Sequence, residues 1–250
     1  MKLPLIFVCS LIIITSFAPA DAQKRRAVRT FREQSQINSS AVVIDETLSV
    51  LRTRPSLFAP AIQRMRRGRK VMISGMKEAD GVTFYKIAAA PSGTGWVQAD
   101  AVFGRFRPHD DERLAKLVQA SDGFDQIEIA EQFFEFYPDS PLRPSLLLLY
   151  GDLLEEIASK LSRDAAGRLR RPEMAASGAP LHSYYLNFVS LDRYRKLGVT
   201  FLFNTGTRKF HYNGDSWREI AAKFPKSAEA VEAQKRLDLL KQKMEAVGTK

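Results

Sequence analysis

The hydrophobic period of this chain changes once, between Gly104 and His109, and that change limits what each side of it can fold into. Before it, short apolar runs alternate with turn signals. Val42 and Ile44, Leu48 and Val50, Val71 and Ile73, Phe84 to Ile87, and Trp96 and Val97 are separated by Arg54-Pro55-Ser56, Gly75, Asp80-Gly81 and Pro91-Ser-Gly-Thr-Gly95. After it, apolar residues recur at spacings of three and four, the mark of amphipathic helices. About five short strands in about 60 residues predict a small closed barrel. Its period of two assigns Val50, Val71, Ile73 and Ile87 inward.

The second half reads as mainly helical. Leu114, Leu117 and Val118 predict one helix, and Ile127, Ala130, Phe133, Phe134 and Tyr137 another that stops before Pro138. Ser140 suits an N-cap with Pro141 behind it, opening a long helix striped by Leu142, Leu146, Leu149, Leu153, Ile157 and Leu161. Residues 163–179 read as a loop, residues 181–196 as a helix ended by Gly198, and Phe201 to Tyr212 as a hairpin about Asn204-Thr-Gly206. Ser216-Trp-Arg-Glu219 has the form of a capping box, and Ala230, Ala233, Leu237, Leu240, Met244 and Val247 make the apolar seam of a last helix.

Two sets of residues carry a resemblance. Leu48-Ser-Val50 with Arg52 and Pro55, Arg67-Gly68-Arg69-Lys70-Val71, Tyr85-Lys-Ile87 and Gly95-Trp96-Val97 resemble a bacterial SH3-type (SH3b) domain. The chain departs from that pattern in the length added by Leu51 and Thr53 and in Phe84, where the family carries Trp. Phe134-Glu-Phe-Tyr-Pro138-Asp-Ser140 and its echo Phe224-Pro225-Lys-Ser227 resemble the helix junctions of tetratricopeptide-like repeats. The expected fold class is therefore two-domain: a small all-β SH3-like barrel, then a mainly α-helical domain of helical hairpins with one β-hairpin. The expected divisions are a signal peptide at 1–22, a basic linker at 23–40, the barrel at 41–105 and the helical domain at 106–250.

The signal peptide is read from Lys2, the apolar run Leu3 to Phe17 and the small-residue sites Ala18-Pro-Ala20 and Ala20-Asp-Ala22. About 15 apolar residues are fewer than the roughly 20 that a spanning helix needs, so no transmembrane segment is expected after cleavage. The implied location is exported, periplasmic or extracellular. The single cysteine, Cys9, lies inside that leader, which leaves a mature chain without disulfide or thiol nucleophile. The net charge is +10, and residues 23–40 carry five basic side chains against one acidic.

Little in the sequence supplies chemistry. His109, His182 and His211 lack metal-ligand spacing, and no glycine-rich phosphate loop or nucleophile elbow occurs, so no catalytic residue, metal or cofactor is expected. Glu155 with Glu156, or Glu131 with Glu135, would be the nearest carboxylate pairs for a glycan hydrolase, which stands as the alternative reading. The SH3-type resemblance implies ligand binding without chemistry. Tyr85 and Trp96 coincide with its motifs, and Arg66, Arg67 and Arg69 make a basic edge beside them. These five are the candidate binding residues, for cell-wall peptide or glycan, or an envelope protein. The helical part would serve a protein partner. Nucleic acid is not expected, since no aromatic stands between Arg64 and Lys70 to stack on bases.

Overall fold

The computed structural model describes residues 38–89, 93–168, 174 and 176–247. The expected signal peptide and most of the basic linker fall in residues 1–37, outside the described residues. Seven strands form one antiparallel sheet: β1 (Ser40–Val43), β2 (Val50–Arg52), β3 (Ala61–Arg64), β4 (Lys70–Ala79), β5 (Val82–Ala89), β6 (Gly93–Gln98) and β7 (Val102–Phe103). Their order is β3-β2-β6-β5-β4-β1-β7. Asp80 and Gly81 both take positive φ at the β4–β5 turn, the backbone that a tight hairpin between right-twisted strands requires.

The expected SH3-like barrel followed by a helical domain is not what forms. The sheet is open, with β3 and β7 as its edges. Closure would have to bring β7 to β3, and two facts oppose it. The strands on that path are short, three residues in β2, four in β3 and two in β7. The outward side of β7 is also already committed, because Phe103 packs among helices. Parity in β2 is shifted by one as well: Leu51 is fully buried where Val50 was assigned, and a bulge follows it.

The helical layer comprises α1 (Asp110–Ala120), α2 (Gly123–Phe136), α3 (Arg143–Arg168), α4 (Leu181–Leu186), α5 (Asp192–Arg195), α6 (Asp215–Lys223) and α7 (Ala228–Glu245). A hairpin of β8 (Phe201–Asn204) and β9 (Lys209–Tyr212) sits between α5 and α6. Helix α3 is the spine, with Leu146, Leu147, Tyr150, Leu154, Ala158 and Leu161 all buried. It runs on to Arg168, into the stretch read as a loop. The helix expected over 181–196 breaks after Leu186, where Asn187 caps the Ser183 carbonyl with both its backbone N–H (3.1 Å) and its Nδ2 (2.9 Å). Among the described residues no helix is long and apolar enough to cross a membrane.

The two layers meet along β1 and β7. Ala41, Val43 and Val102 enter the core on the inner side of the sheet, together with Leu51, Ile73, Tyr85 and Val97. Val42, Ile44 and Phe103 enter the helical core with Leu114, Ile127 and Phe133. At the corner between β7 and α1, Gly104 leaves no room for a side chain, since a Cβ there would stand 2.8 Å from the Ser40 carbonyl oxygen.

Asp110 fastens the same corner. Its carboxylate is wholly buried and accepts from Arg107 Nε at 3.0 Å, Arg113 Nη1 at 2.5 Å and the Gly104 N–H at 3.3 Å. Arg107 also donates to the carbonyls of Ala99 at 3.0 Å and Val102 at 2.5 Å, so one guanidinium spans the sheet and the first helix. Removing one partner of such a buried pair strands the other. Asp110→Ala should therefore cost roughly 3–5 kcal/mol in a urea melt. A loss below about 1 kcal/mol, the range of an exposed ion pair, would show that the corner is held by apolar packing alone.

Candidate functional site

The five residues expected to share a binding surface do not meet. In the β5–β6 ladder Tyr85 faces Val97 and Lys86 faces Trp96, so Tyr85 and Trp96 stand on opposite faces of the sheet. Tyr85 is 1% exposed, packed edge-on against Phe106, with the Arg107 guanidinium near its ring. Burial pushes its hydroxyl above the ordinary value while the Arg107 charge opposes the shift. Such a ring is core.

The basic edge is likewise spent within the chain. Arg67 donates to the Ile44 carbonyl at 3.1 Å and pairs with Glu128 at 3.0 Å and Asp125 at 3.4 Å. Arg69 donates to the Ala89 carbonyl at 3.3 Å, and Lys70 pairs with Glu135 at 2.9 Å. The acidic partners all lie on α2, so Arg67 and Lys70 join the sheet to the helical layer, while Arg69 bonds within the sheet. Arg66 alone of the expected arginines is exposed.

Trp96 is different. It is half-buried on the convex face, where the register sets Arg52, Trp96 and Lys86 in one row across β2, β6 and β5. The next row sets Met72, Ala88 and Thr94 side by side, all exposed. Among the described residues no helix covers this half of the face, because the helical layer packs along β1 and β7. Neither row contains a carboxylate. Arg52 holds the Ala59 carbonyl through Nη1 at 2.7 Å, and Lys86 is exposed with no described carboxylate paired to it.

Beside this face the loop from Thr53 to Pro60 is braced rather than slack. Asp80 accepts from Ser56 Oγ at 2.7 Å and from the Leu57 N–H at 2.8 Å, and the Thr53 N–H reaches the Pro60 carbonyl at 3.1 Å. The two bonds from Ser56 and Leu57, in that order, hold the Asp80 carboxyl below its usual range. The loop thus reaches the β4–β5 turn, and Phe84, two residues from Lys86 on the same face, is fully buried. At its tip Phe58 is 88% exposed. Its place between Pro55 and Pro60 was visible in the sequence as an aromatic among turn residues. Nothing in the sequence showed that the turn would be tied down.

Neither carboxylate pair converges. Glu135 goes to Lys70 and Glu131 receives the Tyr150 hydroxyl. Glu156 is exposed, whereas Glu155 accepts from Lys243 Nζ at 2.7 Å and the Tyr212 N–H at 2.9 Å, with His211 Nδ1 at 2.9 Å. Glu219, expected to close a capping box, instead accepts from Arg143 Nε and Nη2 at 2.9 and 2.7 Å. Among the described residues no group of three or more His, Cys, Asp or Glu is arranged to hold a metal ion. No family model, curated protein or solved structure matches the chain.

Burial works to raise the Glu155 carboxyl, and the bonds from His211, Lys243 and the Tyr212 N–H outweigh it, holding the group below its ordinary value of 4.5. The folded state therefore binds this proton less tightly than the unfolded chain. The stabilisation is complete above pH 4.5 and is lost as pH falls through the lower folded value. Glu155→Gln should melt below wild type at neutral pH, and the gap should narrow in melts taken at about pH 3. Equal gaps at both pH values would assign the effect to packing.

Proposed function

We propose that the protein is an exported, non-enzymatic binding protein of the bacterial cell envelope that holds a carboxylate-bearing cell-wall glycan across the uncovered convex face of its sheet. The N-terminal sequence supports export: a basic residue, an apolar run of leader length and small-residue cleavage sites. One observation carries the binding reading. Partly exposed Trp96 lies between Arg52 and Lys86 on adjacent strands, in a row that holds no carboxylate. A flat indole stacks on the C–H face of a sugar ring, and the flanking cations suit the carboxylates of wall peptide. Phe58, presented on a braced loop, offers a second apolar contact at little ordering cost. The helical layer fits a protein partner, through apolar residues that α7 leaves exposed, Val231 and Leu239. The engagement of Glu131 by Tyr150, of Glu135 by Lys70 and of Glu155 by His211 and Lys243 weighs against the hydrolase reading.

The magnitudes set what to measure. An exposed ion pair contributes about 0–1 kcal/mol and an aromatic contact about 0.5–1.5 kcal/mol, so stacking dominates and salt removes only part of the affinity. Trp96→Ala should weaken co-sedimentation with purified peptidoglycan about tenfold, and Lys86→Glu should weaken it less while abolishing its salt dependence. The chain has two tryptophans and the other, Trp217, is 2% exposed, so a shift of the accessible emission on adding muropeptide reports on Trp96. Failure of wild type to sediment with the wall, or unaltered binding by a normally folded Trp96→Ala, would sink this reading.

A further inference from the structure

The segment that joins α3 to the β8–β9 hairpin leaves apolar side chains outside the core it helps to build. Tyr185, Phe188 and Leu191 recur at every third position and are buried, with Tyr185 stacked on Phe203 at 4.6 Å. Before and between them, Leu181, Leu186 and Val189 are 40%, 42% and 64% exposed. Among the described residues no other stretch of nine holds three exposed large apolar side chains. Single ones are ordinary on a protein surface, whereas a cluster marks a contact.

The cluster is held stiffly. Asn187 caps the Ser183 carbonyl, the Phe188 N–H reaches the Tyr185 carbonyl at 3.0 Å, and the Leu191 N–H reaches the Phe188 carbonyl at 2.9 Å. Arg195 Nη2 donates to the Leu186 carbonyl at 2.6 Å. Leu186 and Val189 are therefore presented on a fixed turn, at little ordering cost to whatever meets them.

The surroundings are positive. From Lys160 to Lys209 the described residues hold eight lysines and arginines and two aspartates. Three of these cations lie at the turn: Arg195 on the Leu186 carbonyl, Arg168 over the Phe188 ring at 5.1 Å, and Arg208 near Tyr185, whose hydroxyl burial raises and the Arg208 charge lowers. Asp192 pairs with Arg195 at 3.2 Å, a contact between half-exposed groups. Asp164 stands one turn before Arg168 on α3 without pairing to it, and neither Arg168 nor Arg208 has a described carboxylate partner. A guanidinium over an aromatic ring keeps its full charge, so the surplus is not cancelled within the chain.

Aliphatic side chains ringed by cations suit one kind of partner best. A soluble anionic polymer gains little from leucine and valine, and an apolar protein groove gains little from a surplus of guanidinium groups. The boundary of an anionic bilayer uses both, with phosphates for the cations and acyl chains for the aliphatic groups. We infer that this turn docks the protein on an anionic phospholipid surface, with Leu186 and Val189 entering the headgroup boundary and Arg168, Arg195 and Arg208 meeting lipid phosphates.

The test uses the mature chain from Gln23, so that neither the apolar run of the expected leader nor Cys9 takes part. That chain has no cysteine, and Val189→Cys therefore carries a single bimane label. Its emission should shift to the blue with phosphatidylglycerol vesicles and stay unchanged with phosphatidylcholine, while a label at Phe58→Cys, on the sheet-face loop, stays unchanged with both. In vesicle co-sedimentation each cation at an anionic surface is worth roughly fivefold, so Arg168→Ala with Arg208→Ala should weaken binding about twenty-five-fold. Leu186→Ser with Val189→Ser should weaken it at least tenfold, and Trp96→Ala should leave it unchanged, which separates this surface from the sheet face. The basic residues of 23–40 add a charge-only attraction common to every variant. Should either double variant fold poorly, the labelled single variants decide the question. No shift at Val189 with phosphatidylglycerol, equal shifts at Val189 and Phe58, an equal shift with soluble polyphosphate, or full binding by folded double variants would overturn the inference.

Discussion

From Ala41 to Val43 strand β1 has no solvent face, and most of the architecture follows from that. Its four residues alternate by the ordinary pleat, yet both sides of Ala41-Val42-Val43 are buried, one under the sheet and one among the helices. A fully buried aliphatic side chain contributes about 1.5–3 kcal/mol over an exposed one, so a strand buried on both faces needs both layers present. The same parity runs through β7, where Val102 points one way and Phe103 the other. The sheet cannot close on itself because its last strand is shared. The helical layer stands where a closing strand would have to come.

The polar junction is arranged to suit. A buried carboxylate costs several kcal/mol unless it is paired and hydrogen-bonded, and Asp110 meets that condition with two guanidinium groups and a backbone N–H. Arg107 also donates to the carbonyls of Ala99, in the turn before β7, and of Val102, in β7 itself, so the same guanidinium ties the last strand to the corner. Farther out, Arg67 and Lys70 meet the acidic side of α2. These outer pairs are weaker individually. Their effect is on the charge map, because Arg67 and Lys70 are drawn into the layer contact, while Lys77, Lys86 and the edge of Arg52 stay accessible on the face that carries Trp96.

Much of the order of elements was legible in the chain. The change of period at Gly104 to His109 marks where strands end and α1 begins, and the turn signals at Asp80-Gly81 fall at a real hairpin. Closure was not legible, since a period of two gives the parity of each strand and says nothing of which strands become edges. The site suffered from the same blindness. Tyr85 and Trp96 are both motif aromatics, but they share a face only if the β5–β6 register pairs them with the same parity, and it pairs Trp96 with Lys86. The basic run at Arg66 to Lys70 looked like an open edge because its partners, Asp125, Glu128 and Glu135, are more than 50 residues away in sequence. The capping-box reading of Ser216 and Glu219 failed for a related reason: the helix opens at Asp215 behind Gly214, so Ser216 lies inside the first turn, and Glu219 turns to Arg143 on α3.

The uneven distribution of partners also bears on how a ligand would arrive. The chain carries 38 basic and 28 acidic residues, and in the described part the acids of α2 and α3 are largely engaged by arginines and lysines of the same molecule. What remains accessible on the open sheet face is positive. At physiological ionic strength that field reaches only about 8 Å, enough to orient an anionic polymer already close to the surface and too little to hold it. Retention then falls to contact, and the side chains placed to make contact there are Trp96 and Phe58, one fixed in a strand and the other on a loop braced by Asp80. Rigid aromatics lose little entropy on binding, so a sparse surface of this kind gains its selectivity from the shape of the ligand's ring faces rather than from charge.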